Sequence, residues 1–320
     1  MFYKRSGDTF TQLSNPTTLP TGIARGINFS ADGLYVAVAH NTSPFVTIYK
    51  RSGDTFTKLS NPSTLPTGQG MGIAFSPDSN YMCVAHDVSP YISIYKISAG
   101  DIFAKIANPT SIPSGTGYGV TFSPDSKYMI VGYAASPFII NYKISANDVF
   151  TKLNNPDVLP TNYAYSVACS PNGGHVAVAH YTSPFITIYK RDGDTLTKLT
   201  NPSLPAGIGY GVTFSSNGIY MCVAHDATPY ISIYKITYLY NNKILLSNGD
   251  KIFNLTPKSY TENLIPTMTS NTAPSGIANA SSYYSTYLPW YAFDKVTPMG
   301  QSTWFIANAK IGWLSYTFPE

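Results

Sequence analysis

Short apolar runs alternate with turn residues along most of this chain, in an order that repeats. Tyr81-Met82-Cys83-Val84-Ala85-His86 is one such run and Tyr91-Ile92-Ser93-Ile94-Tyr95 is the next. In the preceding copy, Val36-Ala37-Val38-Ala39 alternates branched and small side chains. A period of two with both faces apolar predicts strands sandwiched between neighbouring sheets. Turn signals separate the runs: Ser76-Pro77-Asp78-Ser79 before the second strand, Ser89-Pro90 before the third, and Gly100-Asp101 before the fourth, Ile102-Phe103-Ala104-Lys105-Ile106. Pro presets φ and Asp bonds its own backbone, so both favour tight reversals. The crossing from Asn108-Pro109 to Ile112-Pro113 carries two residues without an N–H and reads as a loop to the next unit. No helix-period segment of useful length interrupts the pattern.

The unit recurs. Its Tyr-Lys pair falls at Tyr49, Tyr95, Tyr142, Tyr189 and Tyr234, with differences of 46, 47, 47 and 45, and again at Tyr3-Lys4. Self-similarity at this period marks a closed or stacked repeat architecture. First-strand copies at Gly26–Phe29, Gly72–Phe75, Gly119–Phe122, Ser166–Cys169 and Gly211–Phe214 count five blades. Four antiparallel strands repeated around an axis predict an all-β, five-bladed β-propeller, an arrangement that removes free sheet edges. Thr9-Phe10-Thr11-Gln12-Leu13 reads as a fourth strand without its own preceding three, and no SGDTFTKL follows Tyr234-Lys235. The N-terminal strand is therefore expected to close the ring by completing the fifth blade. Phe2-Tyr3-Lys4 duplicates Ile233-Tyr234-Lys235, so one of the two must splay away from the shared slot.

The motif FSPDS, YMCVAH and SPYISIYK between Phe75 and Lys96 resembles the WD40-like or YVTN-type repeats of bacterial and phage propellers, and the resemblance covers residues 2–236. There is no Trp-Asp dipeptide and a His ends the second strand, so the resemblance implies the four-strand plan and not WD40-style partner binding. The plan is also similar to that of tachylectin-type five-bladed lectins, without a shared motif. After Lys235 the composition changes: residues 237–262 read as a hairpin and linker, with Asn248-Gly249 between apolar runs, and all three tryptophans lie beyond them. Residues 263–320, through Ser275-Gly276-Ile277-Ala278, Ala292-Phe293-Asp294, Trp304 and Trp313-Leu314-Ser315-Tyr316, resemble the opening half of a discoidin (coagulation factor 5/8 C-type, galactose-binding-like) domain as found in phage tail proteins. That resemblance implies a partial β-sandwich whose loops near Ala-Phe-Asp hold Ca²⁺ and a sugar. Lys295 stands where glycine is usual, which weakens the case for a metal at Asp294.

Charged residues make up only 11% of the chain and glutamate occurs twice, at Glu262 and Glu320, which suits a β-rich surface more than helices. The net charge is +4, but the basic residues recur blade by blade (Lys50-Arg51, Lys96, Lys143, Lys190-Arg191, Lys235). They spread around a rim instead of forming the stripe that nucleic-acid binding wants. Cys83 and Cys222 occupy equivalent second-strand positions and Cys169 a first-strand one, so they act as small buried side chains, not a disulfide framework. Met1-Phe2-Tyr3-Lys4-Arg5 has no apolar run, so neither a signal peptide nor a membrane span is expected. Such a protein is made in the cytoplasm and can still work outside or on a virion.

Repetition also weighs on the candidate chemistry. His40, His86, His180 and His225 share one repeat position, with Tyr133 in the third blade. Equivalent positions are a blade apart, too far for a metal site, so these histidines are expected to hydrogen-bond a neighbouring turn. Asp32, Asp78 and Asp125 share one turn and Asp8, Asp54, Asp101, Asp148 and Asp194 another, not the facing carboxylate pair of a glycosidase. With no phosphate loop, nucleophile elbow or Cys-x-x-Cys, no enzyme and no cofactor are expected. Arg25, Met71, Tyr118, Tyr165 and Tyr210 stand just before the first strands and should ring one mouth of the axial channel, where aromatics either stack on sugar rings or plug the channel. A second, blade-edge set is Asn41, Asp87, Tyr181 and Asp226, directly after the repeat histidines. The resulting expectation is a non-catalytic, lectin-like recognition module of the phage tail type. Its partners would be a bacterial surface glycan and other tail or virion proteins. The alternative is a rigid docking scaffold within a virion or bacterial surface complex.

Overall fold

Each repeat folds into an antiparallel sheet of sequential neighbours, because its strands are short and joined by tight turns. A computed structural model describes residues 1–236 and, beyond them, the strand residues 245–248, 251–254, 277–280 and 314–317. The chain divides into two units, residues 1–237 and 238–320. In the first unit, β1 (Tyr3–Ser6) and β2 (Thr9–Gln12) form a hairpin. The first sheet follows as β3 (Ala24–Phe29), β4 (Tyr35–His40), β5 (Val46–Ser52) and β6 (Thr55–Lys58). The second is β7 (Gly70–Phe75), β8 (Tyr81–His86), β9 (Ile92–Ser98) and β10 (Ile102–Lys105). The third is β11 (Gly117–Phe122), β12 (Tyr128–Tyr133), β13 (Ile139–Ser145) and β14 (Val149–Lys152). The fourth is β15 (Ala164–Cys169), β16 (His175–His180), β17 (Ile186–Asp192) and β18 (Thr195–Lys198). The fifth is β19 (Gly209–Phe214), β20 (Tyr220–His225) and β21 (Ile231–Lys235).

The result is an all-β propeller arrangement of five blades built on the four-stranded plan. In the second unit β22 (Leu245–Asn248) pairs with β23 (Lys251–Asn254), and β24 (Ile277–Ala280) with β25 (Leu314–Thr317). Apart from the strands β24 and β25, which do not distinguish a discoidin-like domain, residues 263–320 with Asp294 and its Ca²⁺ lie outside the described residues.

The core lies between the sheets. Along β8, Tyr81, Cys83 and Ala85 face Val120, Met129 and Val131 of the third sheet, while Met82 and Val84 face Tyr35, Ala37 and Ala39 of the first. Alternation of large and small side chains lets each pair of sheets interdigitate. Towards the rim the first three of the four junctions also carry a polar clasp. Tyr35 Oη donates to Asp101 Oδ1 at 2.7 Å and Lys50 Nζ lies 2.8 Å from the same carboxylate. Tyr81 and Lys96 hold Asp148 in the same way, and Tyr128 and Lys143 hold Asp194. The lysine hydrogen bond first, and the tyrosine second, keep all three carboxyls below the usual range. Burial, and then Asp101, push the Tyr35 hydroxyl up to about 12.

The repeat histidines are buried, with Nε2 of His40, His86 and His180 within 3.0, 3.1 and 2.9 Å of Thr47, Ser93 and Thr187 hydroxyls. Their Nε2 partner is thus the third strand of their own sheet, while on the other side of the ring His180 Nδ1 lies 3.3 Å from Thr161 Oγ1 of the entering loop. In the third sheet both members change together: Tyr133 replaces the histidine and Ile140 the hydroxyl residue. One residue on, Asn141 stands where the other sheets have Ile48, Ile94, Ile188 and Ile233. It is 4% exposed, and neither its Nδ2 nor its Oδ1 has a partner.

Closure differs from expectation. The N-terminal strands pair with each other, and the third-strand slot of the fifth sheet belongs to β21, so no N-terminal strand completes that sheet. The hairpin instead stacks on the first sheet, with Phe2 4.0 Å from Phe56 between ring centroids and Lys4 2.8 Å from Asp54. Its own tight turn keeps β1 and β2 together, and Phe2 gains a buried aromatic face there. Successive first strands β3, β7, β11, β15 and β19 pack in a row, but β19 and β3 do not close on each other in this way. Ile27 and Phe29 at one end, and Ile231 and Ile233 at the other, are accordingly exposed.

Two outcomes follow for stability. Asn141→Ile removes a buried, unpaired amide and restores the residue of the other repeats; it should stabilise by roughly 1–3 kcal/mol in urea unfolding, and an unchanged or lower midpoint would contradict this. Carboxyls held low in the folded state add stability above their unfolded pKa, and that contribution is lost as pH falls through the folded value. Melting temperature should therefore drop below about pH 4, and drop less in a Lys50→Met, Lys96→Met, Lys143→Met triple variant.

Candidate functional site: a tyrosine patch on the inner strands

In all five sheets the first strand slips register at one place, between Ala24 and Gly26, Gly70 and Gly72, Gly117 and Gly119, Ala164 and Ser166, and Gly209 and Gly211. The skipped residues are Arg25, Met71, Tyr118, Tyr165 and Tyr210. A β-bulge leaves its extra residue unpaired and re-aims the side chain, so the five positions read from the sequence share one backbone cause. Their flanks are small because the inner strands converge. A Cβ on Gly26 would lie 3.2 Å from Gly72 Cα, one on Gly119 3.0 Å from Ser166 Cα, and one on Gly72 would overlap the Tyr118 carbonyl oxygen.

Three of these side chains meet. The Tyr165 ring stands 5.0 Å from Tyr118, edge to face, and 5.3 Å from Tyr210, stacked. Burial, and then the neighbouring hydroxyls, raise the Tyr118 and Tyr165 pKa values. Arg25 Nη2 instead reaches Gln69 Oε1 at 3.5 Å, and Met71 is half-buried; neither joins the rings. Arg25 also lines a cleft of about 480 Å³ with Leu19, Ile27, Val38 and Tyr49, between the N-terminal segment and the first sheet.

The blade-edge residues divide. Asn41, Asp87 and Asp226 each accept, through Oδ1, a backbone N–H of the loop entering their own sheet: Ile23 at 2.8 Å, Gln69 at 2.7 Å and Ile208 at 2.8 Å. Gly22, Gly68 and Gly207 let the loop approach, since a Cβ there would overlap those oxygens. In the fourth sheet the task passes to Asn162, whose Oδ1 accepts from Tyr163 N–H at 2.7 Å while its Nδ2 donates to Thr182 Oγ1 at 2.8 Å. Tyr181 is thereby released, and its ring lies 6.3 Å from both Tyr165 and Tyr163. Phe138 extends the patch, 6.5 Å from Tyr163. Tyr163 and Phe138 were not among the sequence candidates. The signal for Tyr163 was Thr161-Asn162-Tyr163, which breaks the repeat's glycine at that loop.

The patch therefore holds five tyrosines, of which Tyr163, Tyr181 and Tyr210 are exposed. Flat apolar faces with hydroxyl rims can stack on a sugar ring and hydrogen-bond its hydroxyls. Among the described residues no three His, Cys, Asp or Glu gather as a metal would require, and no helix is long and apolar enough to cross a membrane.

No family model and no curated protein matches the chain. Solved structures do. One is the hydrazine synthase of Kuenenia stuttgartiensis, with a TM-score of 0.51 and 18% identity over 69% of this chain and 59% of that one. A Bacteroides uniformis protein bearing the name of a 6-phosphogluconolactonase gives 0.58 and 17%, over 74% and 73% of the two chains. A protein of unknown function from Desulfotomaculum acetoxidans gives 0.58 and 14%, over 73% and 74%. The chain thus spans less than two thirds of the hydrazine synthase chain. At these identities the likeness is one of propeller fold.

The convergence of the inner strands has a direct test. Gly72→Ala forces apart the second and third sheets beneath Tyr118 and should cost more than about 2 kcal/mol, whereas Gly211→Ala, whose Cβ would meet only Ala224 at 3.7 Å, should stay within about 0.5 kcal/mol. Equal losses in chemical denaturation would refute the packing described.

Proposed function

We propose that the chain is a non-catalytic recognition module whose tyrosine patch binds carbohydrate on a bacterial surface. One observation carries the reading: Tyr118, Tyr165 and Tyr210 from three successive bulges, with Tyr163 and Tyr181, form one partly exposed aromatic patch. A channel plug would bury its rings on one another; exposed rings leave faces for a ligand. The polar groups on the patch itself are the tyrosine hydroxyls and, beside Tyr163, the Asn162 amide and Thr182 hydroxyl, which suits a neutral sugar. The repeat histidines and the turn aspartates Asp54, Asp101, Asp148 and Asp194 are committed to internal hydrogen bonds and ion pairs, which favours binding over catalysis. Phage tail or virion membership, an extracellular site of action and contact with other tail proteins belong to the same proposal.

A second reading, a rigid protein-docking scaffold, draws on the exposed apolar edges of the array. The two separate by experiment. The full chain is applied to an array of bacterial wall and capsule glycans, and hits are titrated by calorimetry. Tyr165→Ala and Tyr181→Ala should each weaken binding about tenfold with the melting temperature retained. Silence across the array, or binding indifferent to both changes, would remove the carbohydrate reading.

A further inference from the structure

We propose that the open face of the fifth sheet binds the N-terminal hairpin of a second copy of this chain, head to tail. The first three of the four internal junctions follow one code; at the fourth, His175 stands in the tyrosine's place and the fifth sheet brings no fourth strand. A tyrosine that starts the second strand, and a lysine paired opposite it on the third, face the next sheet. That sheet answers with an aspartate in its last turn and a phenylalanine or leucine on its fourth strand. Tyr35, Lys50, Asp101 and Phe103 make one such set, and Tyr81, Lys96, Asp148 and Phe150 another, with the Tyr and Phe rings 5.3 and 5.4 Å apart, edge to face.

The two ends of the array carry the unmatched halves of that code. On the fifth sheet, Tyr220 pairs opposite Lys235, in the register of Tyr35 and Lys50, and both are exposed. Beside them Ile233 is 64% exposed, where its equivalent Ile94 is 1%. The hairpin offers the reply. Asp8 sits in its turn, and Phe10 is 66% exposed where Phe103 is 5%. The other side of the hairpin already docks by the code, through Lys4 on Asp54 and Phe2 on Phe56. Among the described residues neither Asp8 nor Lys235 has an ion-pair partner, and within one molecule the hairpin and the fifth sheet do not pair as strands. What covers this face three times inside the chain is a sheet bearing the complementary set, and a second copy supplies it.

Such a contact is heterologous, so it propagates instead of stopping at a dimer. Sedimentation velocity of the full chain should show a weight-average size that climbs with concentration. Ile233→Glu and Phe10→Glu, both at positions exposed in the single chain, should each raise the concentration for half-association at least tenfold with melting unchanged. An equimolar mixture of these two variants retains one intact face of each kind and should stop at a heterodimer. Lys235→Glu should weaken association, and adding Asp8→Lys should restore it. A wild-type chain that stays monomeric throughout, as it would if its own ends closed on each other, overturns the proposal. So does association that Ile233→Glu leaves unchanged, or a mixture that stays monomeric or grows past two.

Discussion

The burial of one sheet's face against the next is the contact on which everything else here depends. The inner blades are apolar on both sides, so no single sheet buries its side chains alone. Tyr81, Cys83 and Ala85 need the third sheet as much as Met82 and Val84 need the first. Stability therefore belongs to junctions and not to blades, as in other quasi-one-dimensional repeats. The Tyr–Asp–Lys clasp sits at the rim of the first three of these junctions. There it adds orientation more than energy, because partly exposed ion pairs contribute little.

The same packing creates the candidate site. Inner strands that approach as closely as Gly72 and Gly119 do leave no room beside the axis for ordinary pairing, and the register slips by one residue in every sheet. That slip projects one side chain per blade. The fourth blade then breaks the repeat in several ways at once: Ser166 for a glycine, Asn162-Tyr163 in the entering loop, and Tyr181 after the histidine. Departures that cluster in space, while the core residues around them keep to the pattern, are where a scaffold carries something other than its own stability.

Recognition and assembly draw on different surfaces of this array. The tyrosine patch belongs to the bulges of the third, fourth and fifth sheets, while the unmatched junction halves lie on the outer face of the fifth sheet and on the N-terminal hairpin. Tyr220 and Lys235 project from the second and third strands of the fifth sheet, and Tyr210 from its first. Head-to-tail contact would therefore multiply the patch without altering the side chains that form it, and multiplied weak sites are how avidity arises without new contacts.

The sequence by itself determined the repeat, the four-strand rhythm, the burial of the second strands and the shared position of Arg25, Met71, Tyr118, Tyr165 and Tyr210. Each of these is written in local periodicity and turn chemistry, which act over a few residues. Only the tertiary structure decided which of those five touch, that Tyr181 leaves the blade-edge set while Asn41, Asp87 and Asp226 clamp their own loops, and that Asn141 is stranded. It also decided between two segments with the same local code. Phe2-Tyr3-Lys4 and Ile233-Tyr234-Lys235 are equally good third strands, and β21 keeps the slot because it follows its own second strand across a short turn. The hairpin goes where Phe2 finds Phe56 and Lys4 finds Asp54. Local patterns specify what a strand is; only the competition for neighbours specifies whose neighbour it becomes.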